Sequence, residues 1–206
     1  MHQVEPSRFV SGIGTSLRID ASSAAAGERF QAIWQRCLDD GAAQAATGRD
    51  LPDAISIGPD SELTSITQAI TKALINAQAG KLLLFHAGAV CHPETGRSLV
   101  FVAPGGTGKT TLARTLGTRY GYLTDETVAI DRELRILPYP KPLSIRTQPG
   151  TAKTEHSPDE LGLLPAHADP KLARLVILER DDAHGQHPSV TEMGLLDAIV
   201  ELAPQT

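Results

Sequence analysis

The sequence predicts an α/β fold, a mixed sheet with flanking helices, and three observations carry that prediction. Apolar runs of strand length, at 82–85, 99–102 and 172–178, are interspersed with segments whose apolar residues recur at helical spacing. Between the first two runs stand the turn residues His92, Pro93, Thr95 and Gly96, so those strands form an antiparallel hairpin. The second run stops at Ala103 and Pro104, passes through Gly105-Gly106-Thr107-Gly108, and resumes as a helix at Lys109-Thr110-Thr111-Leu112. A parallel or mixed sheet is where such a strand, tight loop and helix occur together.

The loop is the most informative stretch. Gly105 to Thr110 completes the pattern G-x-x-x-x-G-K-[ST] of a P-loop, or Walker A motif, with Ala103 in the first glycine's place. Consecutive N–H groups at a loop and helix N-terminus have no intrahelical partner and carry the positive end of the helix dipole. They make a nucleotide-binding cradle, and glycine lets the main chain approach phosphate oxygens without a Cβ in between. The pattern assigns Gly105, Gly106, Thr107, Gly108, Lys109, Thr110 and Thr111 to binding the phosphates of a nucleotide, with Lys109 on the β- and γ-phosphates and the Thr110 hydroxyl on Mg²⁺.

Composition sets the bounds. With 206 residues, the chain is long enough for one domain with a small extension. Charge is 19 Lys and Arg against 24 Asp and Glu, formally −5, without a basic block, which argues against nucleic acid as a partner. Four Phe, three Tyr and one Trp are too few for a base-stacking platform. No run of about eighteen apolar residues and no charged-then-apolar leader at Met1 is present, so neither a membrane span nor secretion is expected, and the cytoplasm is the expected compartment. Cys37 and Cys91 lack metal-ligand spacing and read as two reduced, buried thiols.

In chain order, residues 8–20 alternate weakly and supply one or two short strands. From Glu28, the residues Phe30, Ile33, Trp34, Cys37 and Leu38 form one helical stripe, with Trp34 as a packing residue and Gly41 as the stop. A small, polar linker at 42–53 leads to an apolar segment at 54–57. Gly58-Pro59-Asp60-Ser61 is a turn in which Asp60 or Ser61 caps a helix carrying Leu63, Ile66, Ile70 and Leu74, ended by Gly80. That division gives an N-terminal extension at 1–58 with one amphipathic helix, and a P-loop domain at 59–206.

His86 interrupts the apolar strand just before the hairpin, and the hairpin returns it toward the loop. Beyond the loop, a helix at 109–120 leads to an extended segment at 122–131 that contains Asp125 and Glu126. Adjacent strand residues point to opposite faces, so both acids face the phosphates only if the chain turns there. Such a pair suits a division of labour in which one carboxylate holds Mg²⁺ and the other accepts a proton from an attacking hydroxyl. Arg132 and Glu133 close a further hairpin, and a proline-rich strand spans 137–146. A polar loop at 147–170 has the length of a lid; Lys153, His156 and His167 within it have no partner pattern. The strand at 172–178 ends in Glu179, Asp181 and Asp182, which makes Glu179 a rival to Asp125 for the metal. A turn at 183–189 and a short helix at 194–202 complete the chain.

Phe85-His86-Ala87-Gly88-Ala89-Val90, the P-loop, and Gly121-Tyr122-Leu123-Thr124-Asp125-Glu126 resemble, in order and spacing, the P-loop kinase core of HPr kinase/phosphorylase. The likeness is closer to the short HPr-kinase-like proteins associated with peptide modification, and it covers roughly residues 80–180. By position, the resemblance implies catalytic roles for His86, Asp125 and Glu126, and metal contacts through Thr110 and Asp125. It implies ATP- and Mg²⁺-dependent phosphorylation of a serine or threonine hydroxyl on a protein or peptide acceptor. Where the bifunctional members have two aspartates and a serine, this chain has Asp125-Glu126 and Thr110. It has no counterpart of their separate N-terminal domain and little length after the core, as a member truncated at its C-terminus would. Phosphorylase activity, HPr itself as substrate and a hexamer are therefore not carried over. A small-molecule kinase and a non-catalytic nucleotide-binding regulator remain alternatives on the same loop.

Overall fold

The computed structural model describes residues 7–39, 53–146, 148, 150–180 and 187–205. Strands β1 (Arg8–Gly12) and β2 (Thr15–Ala21) form an antiparallel pair, and β3 (Ile55–Ile57) adds to β2 in parallel. Helix α1 (Ala24–Trp34) begins earlier than the apolar stripe indicates, because Ser23 takes the N-cap and its hydroxyl accepts from the Ala26 N–H at 3.3 Å. Cys37 lies beyond its end, in a single 3₁₀ turn at Gln35–Cys37. The expected stop at Gly41 and most of the linker lie outside the described residues.

Helix α2 (Leu63–Gln78) comes next, and its start corrects the expected cap. Glu62 holds the N-cap position, its carboxylate accepting from the Ser65 hydroxyl at 3.0 Å and not from a helix N–H, while the Ser61 hydroxyl accepts from Gly58 N at 2.8 Å and so closes the turn instead. The apolar face of α2 packs into one core with the N-terminal strands and α1: Val10, Leu17, Ile19, Phe30, Trp34, Ile66, Ile70 and Leu74 are all buried there. Trp34 stacks on Phe30 with ring centroids 5.5 Å apart, as a packing residue should. Tyr139 enters the same core and shares a 2.9 Å hydrogen bond with the Thr71 hydroxyl. Residues on both sides of position 58 thus bury one another.

The larger sheet is mixed. Strand β4 (Leu83–Cys91) pairs antiparallel with β5 (Arg97–Val102), and β11 (Lys171–Ile177) lies parallel to β5 on its other side. Helix α3 (Lys109–Gly117) leaves the loop after β5 and ends earlier than the pattern indicates. The segment after it breaks in two: β6 (Gly121–Thr124) pairs with the far half of β4 and β7 (Thr127–Ile130) with its near half. Asp125 and Glu126 occupy the bend between them.

Strand β8 (Ile136–Leu137) extends the sheet beside β7. Beyond Leu137, the proline-rich stretch forms strand only at β9 (Leu143–Ile145), because Pro138, Pro140 and Pro142 have no N–H to give a ladder. Strand β10 (Thr154–His156) pairs with β9, and the chain at 157–165 is docked rather than free to act as a lid. Leu164 donates to Gly117 O at 2.7 Å and accepts from Tyr122 N at 2.9 Å, and Leu163 is buried in a cluster with Phe101, Ala113 and Tyr122. Arg36 fastens this segment from the N-terminal side, donating to Asp159 Oδ1 at 2.7 and 2.9 Å and to the Leu163 and Leu164 carbonyls. Helix α4 (Leu195–Leu202) comes last. Both cysteines are free and buried, and no described helix is long and apolar enough to cross a membrane.

Candidate functional site

The loop between β5 and α3 is shaped by glycine where its backbone demands it. Gly106 and Gly108 have φ of 85° and 111°, the left-handed region that L side chains rarely adopt, and Gly108 is the N-cap of α3. A Cβ built on Gly105, Gly106 or Gly108 would meet no protein atom within 4 Å. The glycines are therefore not there to admit a neighbouring part of the protein; they leave open a stretch of main chain at a helix N-terminus.

Lys109, the first residue of α3, is folded back on the loop. Its Nζ donates to Ala103 O at 2.5 Å and to Pro104 O at 3.1 Å, and the side chain is buried. Burial pushes the ammonium pKa down, against an upward pull from Asp125 and Glu126. Thr107 is also turned to Pro104 O, at 3.0 Å. The loop thus holds its shape through its own carbonyls.

One residue on, the Thr110 hydroxyl donates to Asp125 Oδ2 at 2.8 Å. The bend at 125–126 makes this possible. With the strand broken there, both carboxylates turn toward one cation, the Lys141 ammonium, which lies 3.0 Å from Asp125 Oδ1 and 3.0 Å from Glu126 Oε2. Asp125 and Lys141 are almost fully buried, whereas the Glu126 side chain is 35 % exposed. The Tyr122 hydroxyl adds a third contact, donating to Asp125 Oδ1 at 3.0 Å. Burial would lower the Lys141 pKa, but Asp125 and Glu126 outweigh it and hold the group above its ordinary value. The Tyr122 phenol is pushed up by burial and by Asp125.

His86 lies one register step past Ala87, which is paired with Val102 at the mouth of the loop. Its pKa is lowered, first by partial desolvation and then by Lys109, with Glu126 and Asp125 pulling the other way. Position and electrostatics thus bring His86, Lys109, Thr110, Asp125 and Glu126 to one end of the sheet. Thr111 is exposed on the first turn of α3, and its carbonyl accepts from the Thr115 hydroxyl at 2.9 Å. Glu179 comes directly after Leu178, whose N–H donates to Val102 O at 2.8 Å, so it leaves β11 beside the start of the loop, exposed and without the Thr110 contact that Asp125 has. Asp181 and Asp182 lie outside the described residues.

Sequence reasoning missed Lys141 and Tyr122. A lysine between two prolines, in Pro140-Lys141-Pro142, was the signal for the first: a segment that cannot join a ladder crosses the sheet end and carries its side chain inward. It also missed Glu155, which is buried on β10 with Oε1 accepting from Ser144 at 2.5 Å and its pKa raised chiefly by burial.

Thr110 and Asp125 fit a hard divalent ion, since hydroxyl and carboxylate oxygens are what Mg²⁺ prefers. Among the described residues no group of three or more His, Cys, Asp or Glu could hold a metal. A scan against protein-family models returned no match for this chain, and neither did a search of curated proteins.

Proposed function

We propose that this chain is a P-loop kinase of HPr kinase type that transfers the γ-phosphoryl group of ATP to a serine or threonine hydroxyl of a protein or peptide. One observation carries the reading: an open, glycine-shaped loop places its Thr110 hydroxyl 2.8 Å from a buried carboxylate whose sequence neighbour is solvent-accessible. An anion cradle alone is a binding site. A cradle with a hydroxyl and a carboxylate in contact, and a second carboxylate beside it, has the parts for phosphoryl transfer.

The roles come from burial and partners. Main-chain N–H groups of 105–110 and the Lys109 ammonium bind and orient the phosphates; for this Lys109 gives up its bonds to Ala103 and Pro104. Thr110 and Asp125 would hold Mg²⁺, which when bound neutralises charge on the phosphates. Both Asp125 oxygens already have protein donors, so its work is to position. Glu126 reaches solvent and takes the proton of the incoming hydroxyl as that oxygen bonds to the γ-phosphorus and the bond to the β,γ-bridging oxygen breaks, releasing ADP. His86, neutral near pH 7, is placed to donate or accept a hydrogen bond at the same edge.

The test is calorimetric titration of the native chain and of Lys109→Ala with Mg·ATP, then mass spectrometry of a serine- and threonine-containing peptide library. Binding by the native protein, loss of at least about a hundredfold in the variant, and phosphorylated peptides are expected. A folded native protein that gives no binding heat refutes the reading; binding with transfer only to metabolites, or with none at all, replaces it by one of the other classes.

A further inference from the structure

Among the described residues, Lys141 is the buried cation that touches both acids. Its side chain is 1 % exposed, too deep to meet a nucleotide or acceptor, and its ammonium donates to Asp125 Oδ1, Glu126 Oε2 and the Pro142 carbonyl, each at 3.0 Å. All three hydrogens are thereby used. The segment that delivers it is fixed at Tyr139, whose N–H donates to Leu123 O at 3.0 Å and whose ring is locked in the N-terminal core by Thr71. A main-chain bond from Lys141 N to Tyr139 O at 2.8 Å completes the hold.

We infer that Lys141 is a positioning residue for phosphoryl transfer: from beneath the site it fixes the bend at 125–126, turning Asp125 toward Thr110 and leaving Glu126 at the surface to meet the acceptor. The inference rests on the kinase reading and assigns that site a part no sequence motif contains. Without this cation, two adjacent carboxylates would lie side by side with no ammonium in direct contact with both. The acids would swing apart, and the Thr110–Asp125 contact would lose its fixed direction. The loop draws its form from Gly106, Gly108 and the Thr107–Pro104 bond, none of which involves Lys141, so nucleotide affinity depends little on that lysine.

The experiment compares native protein with Lys141→Met and Lys141→Gln, using Mg·ATP as the nucleotide and ADP formation, with water and with the peptide library as acceptors, as the measure of turnover. The expected signature is a split: KM and the calorimetric Kd for Mg·ATP within about threefold of native, and kcat reduced about a hundredfold, the cost typical of a misplaced catalytic group. A merely structural lysine would move both quantities together or neither. Turnover within about threefold of native in a cooperatively melting variant overturns the proposal, as does a parallel loss of affinity. If neither variant melts cooperatively, Tyr122→Phe decides. It keeps the lysine and removes the other donor to Asp125 Oδ1, so kcat within about tenfold of native supports Lys141 as the holder. A loss beyond about a hundredfold gives that task to the tyrosine and overturns the proposal. Failure of the kinase reading looks different: native protein itself then forms no ADP, and both inferences fall together.

Discussion

Asp125→Asn tests the centre of the site, and its cost can be worked from the contacts. The substitution keeps shape and removes the charge that accepts from Thr110 Oγ1 at 2.8 Å, Tyr122 OH at 3.0 Å and Lys141 Nζ at 3.0 Å. Removing one partner of a buried ion pair costs about 3–5 kcal/mol, because the other charge stays buried without compensation. Here Lys141 keeps Glu126 and the Pro142 carbonyl, both at 3.0 Å, which puts the expectation at the low end, about 3 kcal/mol. In a chain of this size each kcal/mol moves the melting temperature by about 2–4 °C, so a fall of about 6–12 °C is expected. Mg·ATP affinity should change by less than about tenfold, since the loop is intact, while turnover falls at least about a hundredfold. Melting is monitored by circular dichroism and calorimetry together, so that agreement of the two enthalpies licenses the comparison. A melting temperature within about 2 °C of native would refute the claim that this carboxylate holds the buried ammonium.

Two further outcomes are expected. Gly106→Ala and Gly108→Ala should each lower the melting temperature by about 2–8 °C through a left-handed backbone that costs a β-carbon about 1–2 kcal/mol, whereas Gly105→Ala, with open space and no positive φ, should leave it nearly unchanged; equal effects at all three positions would contradict the loop geometry. His86→Gln should flatten the pH dependence of stability below pH 6.5, the ordinary value for this group. Because the folded-state pKa of His86 is lowered, the unfolded chain takes up the proton first, so stability is full above pH 6.5 and is lost as pH falls toward the folded pKa. Denaturant melts from about pH 7.5 to about pH 5.5 that run parallel for native and variant would leave this histidine no part in the pH dependence.

The features legible in the sequence and those hidden in it divide along a physical line. Local patterns were legible: the hairpin of β4 and β5, the loop and its helix, the apolar face of α2 and the burial of Trp34 all come from spacing, turn residues and glycine. The hairpin also indicated that His86 returns toward the loop, but the spacing left open whether Asp125 and Glu126 turn to one side, which the bend between β6 and β7 decides. Boundaries set by single hydrogen bonds were not legible. Ser23 starts α1 early, and Ser61 closes a turn instead of capping α2.

The larger misses share a cause in contacts distant in sequence. The stretch at 157–165 reads as a loose polar loop because its composition is polar, yet Gly117, Tyr122 and Arg36 supply its hydrogen bonds from three separate elements. Lys141 was invisible for the same reason. A lysine reads as surface by default, and only its distances to two acids far back in the chain reverse that. The acids and the lysine then solve each other's problem. A paired carboxylate bend on a strand is costly without a cation, and a buried ammonium is costly without anions. The proline-rich crossing lets both costs be met at one point beneath the loop. The Asp125–Glu126 pair and Pro140-Lys141-Pro142 therefore act as one unit, and a change in either is felt first in the other.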